Sequence, residues 1–302
     1  MYPSVSAVIP AHQRPVELRR AIAAACAQDY QGELEIVVVY DRAEPDMTLA
    51  ASGTRPVRVL ENDRTPGLAG ARNTGILASA GELVAFCDDD DEWLPNKLQK
   101  QVERLKDYPD APLVTSAIVV DYGDRSTVRR AGSDLVTHEM LVQSRMSMLH
   151  SSNFVFRRSA FEGSLGLINE DIPGSQNEDW DILLRASALH PIVNVDEPLV
   201  RVLWGKSSYF SRRWDTKIAS SIWMLENHPD VAMHRKGAAR LMGQIAFAHA
   251  SSSGRREASR WALRSLKGNP LQWRAWVAMG VAIAPRSSEF VLGSLHRWGR
   301  GV

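Results

Sequence analysis

Residues 83–95 read Leu83-Val84-Ala85-Phe86-Cys87-Asp88-Asp89-Asp90-Asp91-Glu92-Trp93-Leu94-Pro95. The apolar run that opens this stretch is too short for a helix and is bounded by Gly81 and by charges, so it predicts a buried strand of a parallel sheet. Four consecutive aspartates follow the strand directly. Because open α/β sheets bind ligands beyond the carboxyl ends of their strands, the acidic run is the first candidate for a functional site.

The aspartate run from Asp88 to Asp91 has two interpretations. Like charges raise one another's pKa unless a cation or solvent offsets them, and hard carboxylate oxygens suit Mg²⁺ or Mn²⁺ together with an anionic substrate. The other interpretation is a solvated acidic turn that caps a helix beginning near Pro95. A calcium EF-hand is a poor fit, because Trp93 stands where that loop needs Gly and Gln99 where it needs a bidentate Glu.

The 302-residue chain has the 44% hydrophobic and 24% charged residues of an ordinary soluble protein. Its length allows one large domain, or one domain with an extension. The net charge of +1 hides an asymmetry, since residues 201–302 hold 17 Lys and Arg against 5 Asp and Glu, which leaves the first 200 residues at −11. We therefore expect two parts with different roles.

The two cysteines, Cys26 and Cys87, lie in apolar stretches outside any spaced pair or Cys/His cluster, which predicts reduced, buried thiols in a cytoplasmic protein. The first residues lack the basic and apolar regions of a signal peptide. The longest apolar candidate, residues 275–284, is about half of what a membrane span requires. The sequence therefore predicts no membrane span.

Short apolar runs alternate with helical patterns over the first 106 residues. Strands are predicted at residues 5–9, 36–39, 57–60 and 83–87, and helices at residues 15–27, 71–78 and 96–106. The predicted order, β-α repeated four times, indicates an α/β fold with a parallel sheet and right-handed crossovers. Residues 10–14, Asp41 and the aspartate run would then meet at one edge of the sheet, where they would form a nucleotide pocket.

The loop that contains Gly67 and Gly70 is neither a Walker A sequence nor Gly-x-Gly-x-x-Gly. Its glycines still permit a ligand to approach a helix N-terminus closely, and Arg72 could reach a phosphate from there. The alternative is that Arg72 is a surface residue that binds no ligand.

A second acidic group, Glu178-Asp179-Trp180-Asp181, opens a predicted helix. One of its carboxylates would remove a proton from an acceptor hydroxyl, or the acids simply complement the helix dipole. His138 and His150 lie in a polar connection and are interpreted as structural residues. Residues 151–153 are either a turn or a substrate contact.

Taken in order, these segments resemble the inverting family 2 glycosyltransferases of the GT-A fold. The resemblance covers residues 4–210 and is carried by Val8-Ile9-Pro10-Ala11-His12-Gln13-Arg14, Ile36-Val37-Val38-Val39-Tyr40-Asp41, Gly67 with Ala71-Arg72-Asn73, Phe86-Cys87-Asp88-Asp89-Asp90-Asp91 with Pro95, and Glu178-Asp179-Trp180-Asp181. Each motif is weak alone, but five in this order and spacing are specific together. The resemblance implies a Rossmann-like, mostly parallel sheet flanked by helices.

The resemblance also implies a nucleotide-sugar donor, most often a UDP-sugar, and a bound Mn²⁺ or Mg²⁺. The residues it implies for donor binding are Pro10, Ala11, His12, Arg14, Asp41, Gly67, Arg72, Asp88 and Asp89. In that set Asp41 would hydrogen-bond the uracil edge and Asp88 would lie near the ribose. Asp88 and Asp90 would form the Asp-x-Asp motif, with Asp90 on the metal that bridges the diphosphate.

Asp179 matches the general base of this family, with Glu178 as its helper or rival. A single carboxylate is enough for an inverting displacement, because the acceptor hydroxyl loses its proton as it attacks the anomeric carbon from the opposite face.

The sequence departs from the family pattern at two places. Tyr40 and Arg42 flank Asp41 where many members have small polar residues, so a TDP- or GDP-sugar stays open, and residues 201–203 lack the histidine of a frequent Arg-x-His pattern.

We predict a catalytic domain at residues 1–210, with the nucleotide-sugar side at about 1–120 and the acceptor side at about 121–210. The acceptor would be a hydroxyl-bearing glycan, a lipid-linked sugar or a small natural product. Residues 211–302 are predicted to form a basic, Trp-containing helical extension.

The extension places a basic stripe on one helix face, formed by Arg255, Arg256, Arg260 and Arg264. The stripe is either a solvated face, a peripheral membrane contact that Trp273, Trp276 and Trp298 would suit, or a docking site for an acidic partner. No recognised nucleic-acid-binding module accompanies it, so a nucleic-acid partner is not expected.

Two other functions stay open. A sugar nucleotidyltransferase is disfavoured because the chain has no early Gly-rich triphosphate loop with Arg and Lys. The other is a nucleotide-sugar binding protein without catalysis.

Overall fold

In the computed structural model, the residues described are 1–123, 125–203, 213–252, 254–283 and 291. They divide into two compact units. The sheet unit takes residues 1–141, 146–171 and 178–203 within that coverage, and the helical unit takes residues 142–145, 172–177 and those from 213 onward. The predicted boundary at 210/211 lies outside the described residues and stays a prediction. The same is true of Trp298 as a membrane contact.

Ten strands of the sheet unit form one sheet in the part of the chain that the structure describes. They are β1 Val5–Ala11, β2 Leu34–Tyr40, β3 Val57–Glu61, β4 Leu83–Phe86, β5 Glu92–Trp93, β6 Leu113–Tyr122, β7 Arg125–Arg129, β8 Leu135–Val136, β9 Val155–Arg157 and β10 Ile192–Leu203. The order across the sheet is β3-β2-β1-β4-β9-β6-β10-β5, with β7 beside β6 and β8 beside β10.

The first four strands pair in parallel, as predicted. All seven residues of β1 are buried, which explains why its sequence is apolar without alternation. In the register Ala11 lies opposite Tyr40, and Val8 lies opposite Phe86. The ends of β1, β2 and β4 therefore meet at one edge. Strand β9 is antiparallel to both β4 and β6, so the sheet as a whole is mixed.

Helices up to residue 189 are α1 Pro15–Cys26, α2 Leu68–Ala78, α3 Lys97–Lys106, α4 His138–Gln143, α5 Arg158–Glu162 and α6 Glu178–Leu189. The predicted helix between the second and third strands is wrong, because that connection holds only the 3-10 turn Met47–Leu49. Pro45 and Gly53 leave too short a segment for a helix. The other three predicted helices are present.

Two glycines set the position of α2. Gly67 precedes the helix with φ 137°, a conformation that side chains rarely adopt. Gly75 faces the sheet, where an added Cβ would lie 2.3 Å from Val8 Cγ1. Helix α2 therefore packs directly on β1, and its first turn lies at the edge where the strands end.

The helical unit contains α7 Trp214–Asn227, α8 Pro229–Met233, α9 Arg235–Ser251, α10 Arg255–Gly268 and α11 Trp273–Ile283. Its core is built mainly from alanines, with Ala246, Ala262 and Ala278 wholly buried beside Phe247. Small side chains let helices approach one another closely, so this unit is stabilised by close packing of its helices more than by large side chains. Among the described residues, none of the helices has the length and apolar character needed to cross a membrane.

Candidate functional site

The strand ends bring the predicted segments together. Pro10 and Ala11 end β1, and the backbone N–H of Asp41, just past β2, donates to the Ala11 carbonyl at 3.0 Å. The N–H of His12 donates to Asp89 Oδ2 at 3.0 Å. Segments that are far apart in sequence thus lie side by side at one edge, as the alternating order predicted.

Asp41 is buried and holds the loop in front of α2. Its carboxylate accepts hydrogen bonds from Asn62 Nδ2, the N–H of Gly67 and Arg42 Nε, each at 2.9 Å. Burial raises the pKa of Asp41, but these hydrogen bonds outweigh it and lower the pKa below its usual range. Asp41 and Gly67 therefore interact with each other, and the predicted contact of Asp41 with uracil stays a prediction.

Arg14 pairs with two of the four aspartates. Its Nη1 donates to Asp89 Oδ1 at 3.0 Å and also to Asp90 Oδ2. Burial and the charge of Asp91 raise the pKa of Asp90, although Arg14 opposes them. The acidic run thus carries more negative charge than Arg14 offsets.

A group of oxygen and nitrogen atoms suited to a metal ion lies beside that run. Within the described residues, ligand atoms of Asp88, Asp91 and His150 all lie within 4.8 Å of one another. Two carboxylates and an imidazole suit a divalent cation such as Mn²⁺. The predicted ligand pair was Asp88 and Asp90. Asp88 belongs to the group, whereas the carboxylate of Asp90 forms an ion pair with Arg14.

The short turn from His150 to Ser152 contacts the carboxylates of the aspartate run. His150 Nδ1 lies 3.2 Å from Asp91 Oδ2, and Ser151 Oγ donates to Asp88 Oδ2 at 3.0 Å. Burial lowers the pKa of His150, but the carboxylates of Asp91 and Asp88 outweigh it and raise the pKa to about 9. As a metal ligand, His150 would have to be neutral. Residues Ser151–Asn153 form a 3-10 turn, and a substrate contact by this segment stays a prediction.

Arg72 connects the aspartates to the start of α6. It is fully buried and donates to Asp88 Oδ1 at 2.5 Å and to Glu178 Oε1. The guanidinium also lies 5.3 Å from the centre of the Phe86 ring. Burial lowers the pKa of Arg72, but the charges of Glu178 and Asp88 outweigh it and raise the pKa. Arg72 thus positions two carboxylates here, and its predicted contact with a phosphate stays a prediction.

Glu178 and Asp179 occupy the first turn of α6 and are both buried. Burial raises the pKa of Glu178, and the charge of Asp179 raises it further, against the effect of Arg72. Asp179 Oδ1 accepts the N–H of Trp180 at 2.8 Å. Because the charge of Asp179 also acts on His150, Asp179 lies within electrostatic reach of the aspartate cluster.

Sequence reasoning missed two members of this site. It treated His150 as structural, and it did not separate Asp91 from the other aspartates as a candidate ligand. His150 lies 59 positions further along the chain than Asp91, and the fold brings its ring close to the carboxylates. A lone histidine in a polar segment carries no local signal of such a contact.

Comparison with known proteins identifies the family. The family model described as Glycosyl transferase family 2 matches residues 6–165, more than half of the chain. A succinoglycan biosynthesis protein, ExoO of Rhizobium meliloti (strain 1021), is 31% identical over 168 residues, which cover 53% of this chain and 48% of that protein. The chain thus spans about half the length of this relative.

Two further proteins are similar. UDP-Glc:alpha-D-GlcNAc-diphosphoundecaprenol beta-1,3-glucosyltransferase WfgD of Escherichia coli is 31% identical over 104 residues, which cover 33% of this chain and 40% of WfgD. The structure of Staphylococcus aureus TarS 1–349 in complex with UDP-GlcNAc has a TM-score of 0.60 at 15% identity, covering 98% of this chain and 92% of TarS 1–349. At that identity the likeness shows the fold. It confirms the predicted GT-A architecture, and the match of residues 6–165 places the chain in glycosyl transferase family 2.

Proposed function

We propose that this chain is a metal-assisted, inverting glycosyltransferase that moves a sugar from a UDP-sugar to an acceptor hydroxyl. The observation that carries the proposal is the link made by Arg72 between Asp88, at the end of β4, and Glu178, at the start of α6. This link joins the carboxylates that match the donor motif to those that match the catalytic motif. Family membership supports the class of reaction.

The proposed donor side is the edge formed by Pro10 to Arg14, Asp41, Gly67 and Asp88 to Asp91. A divalent cation held by Asp88, Asp91 and His150, with Asp90 beside them, would neutralise the charge that develops on the leaving diphosphate. The residues fit such an ion because two carboxylates and an imidazole place their ligand atoms within 4.8 Å of one another. Arg14 is proposed to shift from the aspartates to the donor.

Asp179 is the proposed general base. It takes the proton from the acceptor hydroxyl, the hydroxyl oxygen bonds to the anomeric carbon, and the bond from that carbon to the diphosphate breaks with its electrons on the phosphate oxygen. Attack from the opposite face inverts the configuration. Glu178 is the weaker candidate for the base, because its carboxylate accepts a hydrogen bond from Arg72.

The choice of UDP and of the acceptor is supported by the similar proteins. TarS was solved with UDP-GlcNAc, and the name of WfgD gives UDP-Glc as donor and a diphosphoundecaprenol-linked sugar as acceptor. We propose a UDP-sugar donor and a glycan or lipid-linked sugar as acceptor for this chain. The stripe on α10, Arg255, Arg256, Arg260 and Arg264, is proposed as a peripheral membrane contact suited to such an acceptor.

The substitution Asp179→Asn tests the proposal. We expect UDP binding to persist while release of UDP from a UDP-sugar falls by about 10²–10⁴, the usual contribution of a positioned general base. Asp171→Asn is the matched control, because Asp171 is exposed and seven positions before α6. Unchanged turnover in Asp179→Asn would exclude Asp179 as the base. Binding of UDP by the wild type without release of UDP from a UDP-sugar would favour a nucleotide-sugar binding protein, and release of pyrophosphate from UTP would favour a nucleotidyltransferase.

A further inference from the structure

Helix α3 buries two polar side chains that the proposed reaction does not use. Lys97 and Gln101 lie one turn apart and are both fully buried, whereas Leu98, Val102 and Leu105 supply the apolar contacts of the same helix. Residues four apart lie on the same side of a helix, so the two polar side chains form one row. Apolar packing does not account for a polar row inside the sheet unit.

The amine of Lys97 is buried at a cost in free energy. Within the part of the chain that the structure describes, its Nζ has no hydrogen-bond partner. Burial lowers the pKa of Lys97 to about 7, although Cys87 opposes this effect. The Nζ lies 4.0 Å from the centre of the Trp93 ring, which is itself almost fully buried. An amine that is buried without a hydrogen bond destabilises a fold, so packing does not explain a lysine at this position.

A chain of contacts leads from Lys97 to the proposed metal ligands. Trp93, on β5, donates from Nε1 to the Ser152 carbonyl at 2.9 Å. The hydroxyl of Ser152 donates to Asp91 Oδ2 and accepts the N–H of Asp88 at 3.0 Å. The ring of Trp93 therefore connects the amine to the turn that contacts both aspartates.

The other buried polar side chain of α3 holds the same turn. Gln101 Nε2 donates to the Asn153 carbonyl at 2.7 Å. The side chain of Asn153 accepts from Ser116 Oγ at 2.8 Å and donates to the Ser116 carbonyl at 2.9 Å. The Asn153 end of the turn is thus fixed to the helix and to β6, while at the Ser152 end the carbonyl is held by Trp93.

We propose that Lys97 is a positioning residue for the metal-binding carboxylates, which it orients through Trp93 and Ser152. This role rests on the proposed function, because it takes Asp88 and Asp91 as ligands of the cation. The attraction between the amine and the ring fixes the tilt of Trp93, and the indole N–H then sets the position of the Ser152 hydroxyl. Replacing a side chain that holds metal ligands in place lowers metal affinity by about 10–100-fold.

The substitution Lys97→Met tests the proposal, because methionine fills a similar volume without the amine. Lys106→Met is the matched control, since Lys106 ends the same helix and its Nζ lies 3.8 Å from the centre of the Tyr2 ring. Mn²⁺ is titrated by calorimetry into the full chain in the presence of UDP. The melting temperature of each protein is measured in EDTA.

We expect Lys97→Met to bind Mn²⁺ about tenfold or more weakly than the wild type. Its melting temperature should rise by about 2–4 °C, because an amine buried without a hydrogen bond is removed. The control should bind Mn²⁺ as the wild type does. A merely structural role would instead lower the melting temperature together with the affinity, and that result would overturn the proposal, as would Mn²⁺ binding as tight as in the wild type or tighter.

Trp93→Phe tests the next contact in the chain, since it keeps a ring beside the amine and removes the indole N–H. We expect a similar loss of Mn²⁺ affinity, and unchanged affinity would overturn the proposal. The double variant with Lys97→Met should bind no more weakly than Trp93→Phe alone, because both changes act through one hydrogen bond, and additive losses would contradict this. Absence of Mn²⁺ binding in the wild type would overturn the proposed metal site itself, which distinguishes that failure from a failure of Lys97 alone.

Discussion

The acidic edge of the sheet unit differs in its ion pairs from a cavity of about 270 Å³ in the helical unit, which we call the basic cavity. At the edge, the aspartates are paired inside the protein with Arg14, Arg72 and His150. In the cavity, Lys236 and Arg240 line a space whose described lining holds no acid. The edge is therefore held partly by its own ion pairs, whereas the described lining of the cavity offers Lys236 and Arg240 no carboxylate.

Replacing one arginine in each region is expected to give the largest difference in the free energy of unfolding. Arg72→Met would leave the buried Glu178 and the partly buried Asp88 without their cation, so we expect a loss of about 3–5 kcal/mol in the free energy of unfolding. Arg240→Met should change it by less than about 1 kcal/mol, because Arg240 faces Arg145 and a neutral serine. Urea unfolding followed by circular dichroism measures both. Equal losses would contradict the contrast.

Two glycine substitutions sharpen the comparison of packing in the two units. Gly75→Ala should lower the free energy of unfolding by about 1–3 kcal/mol, since the new Cβ would overlap Val8. Gly280→Ala on α11 meets nothing within 4 Å and should raise it by about 0.5–1 kcal/mol through helix propensity. Thermal unfolding of both variants is the measurement. A stabilising Gly75→Ala would show that α2 does not pack directly on β1.

The pH dependence of one carboxylate gives the smallest expected effect. Burial raises the pKa of Glu170, but hydrogen bonds from Asn73, the Thr65 N–H and Arg64 outweigh it and lower the pKa to about 2. A lowered pKa stabilises the fold above the unfolded value near 4.3, and that contribution is lost as the pH falls toward 2.

Glu170→Gln should therefore be less stable than the wild type at pH 7 by about 1–2 kcal/mol, allowing for solvent screening. The difference should shrink between about pH 5 and pH 2, as measured by urea unfolding at each pH. A difference that stays constant over this range would show that the charge of Glu170 does not stabilise the loop at Arg64 and Thr65.

The parallel half of the sheet could be predicted because its signal is local. Each strand is a short apolar run, and the carboxylates of Asp41 and Asp88 follow directly at the strand ends. Parallel order then places these ends at one edge, without any knowledge of side-chain contacts. The helical extension was predictable for the same reason, from its helical periodicity.

The pairing of side chains could not be predicted. Arg72 and Glu178 are 106 positions apart, and no local pattern links them. The same holds for His150 and Asp91, and for the insertion of β9 between β4 and β6. These contacts arise from the tertiary fold, and they decide which carboxylates are compensated and which are left for a cation.

The most direct test of the proposed donor site is a calorimetric titration of UDP into the chain with Mn²⁺ and with EDTA. The proteins are the wild type, Asp88→Asn and the control Asp171→Asn, each checked for folding by circular dichroism. We predict binding to the wild type and the control with Mn²⁺, at least tenfold weaker binding in EDTA, and a similar loss in Asp88→Asn. Equal affinity in all three proteins, or no binding of UDP to the wild type, would contradict a metal-assisted UDP-sugar site at this edge.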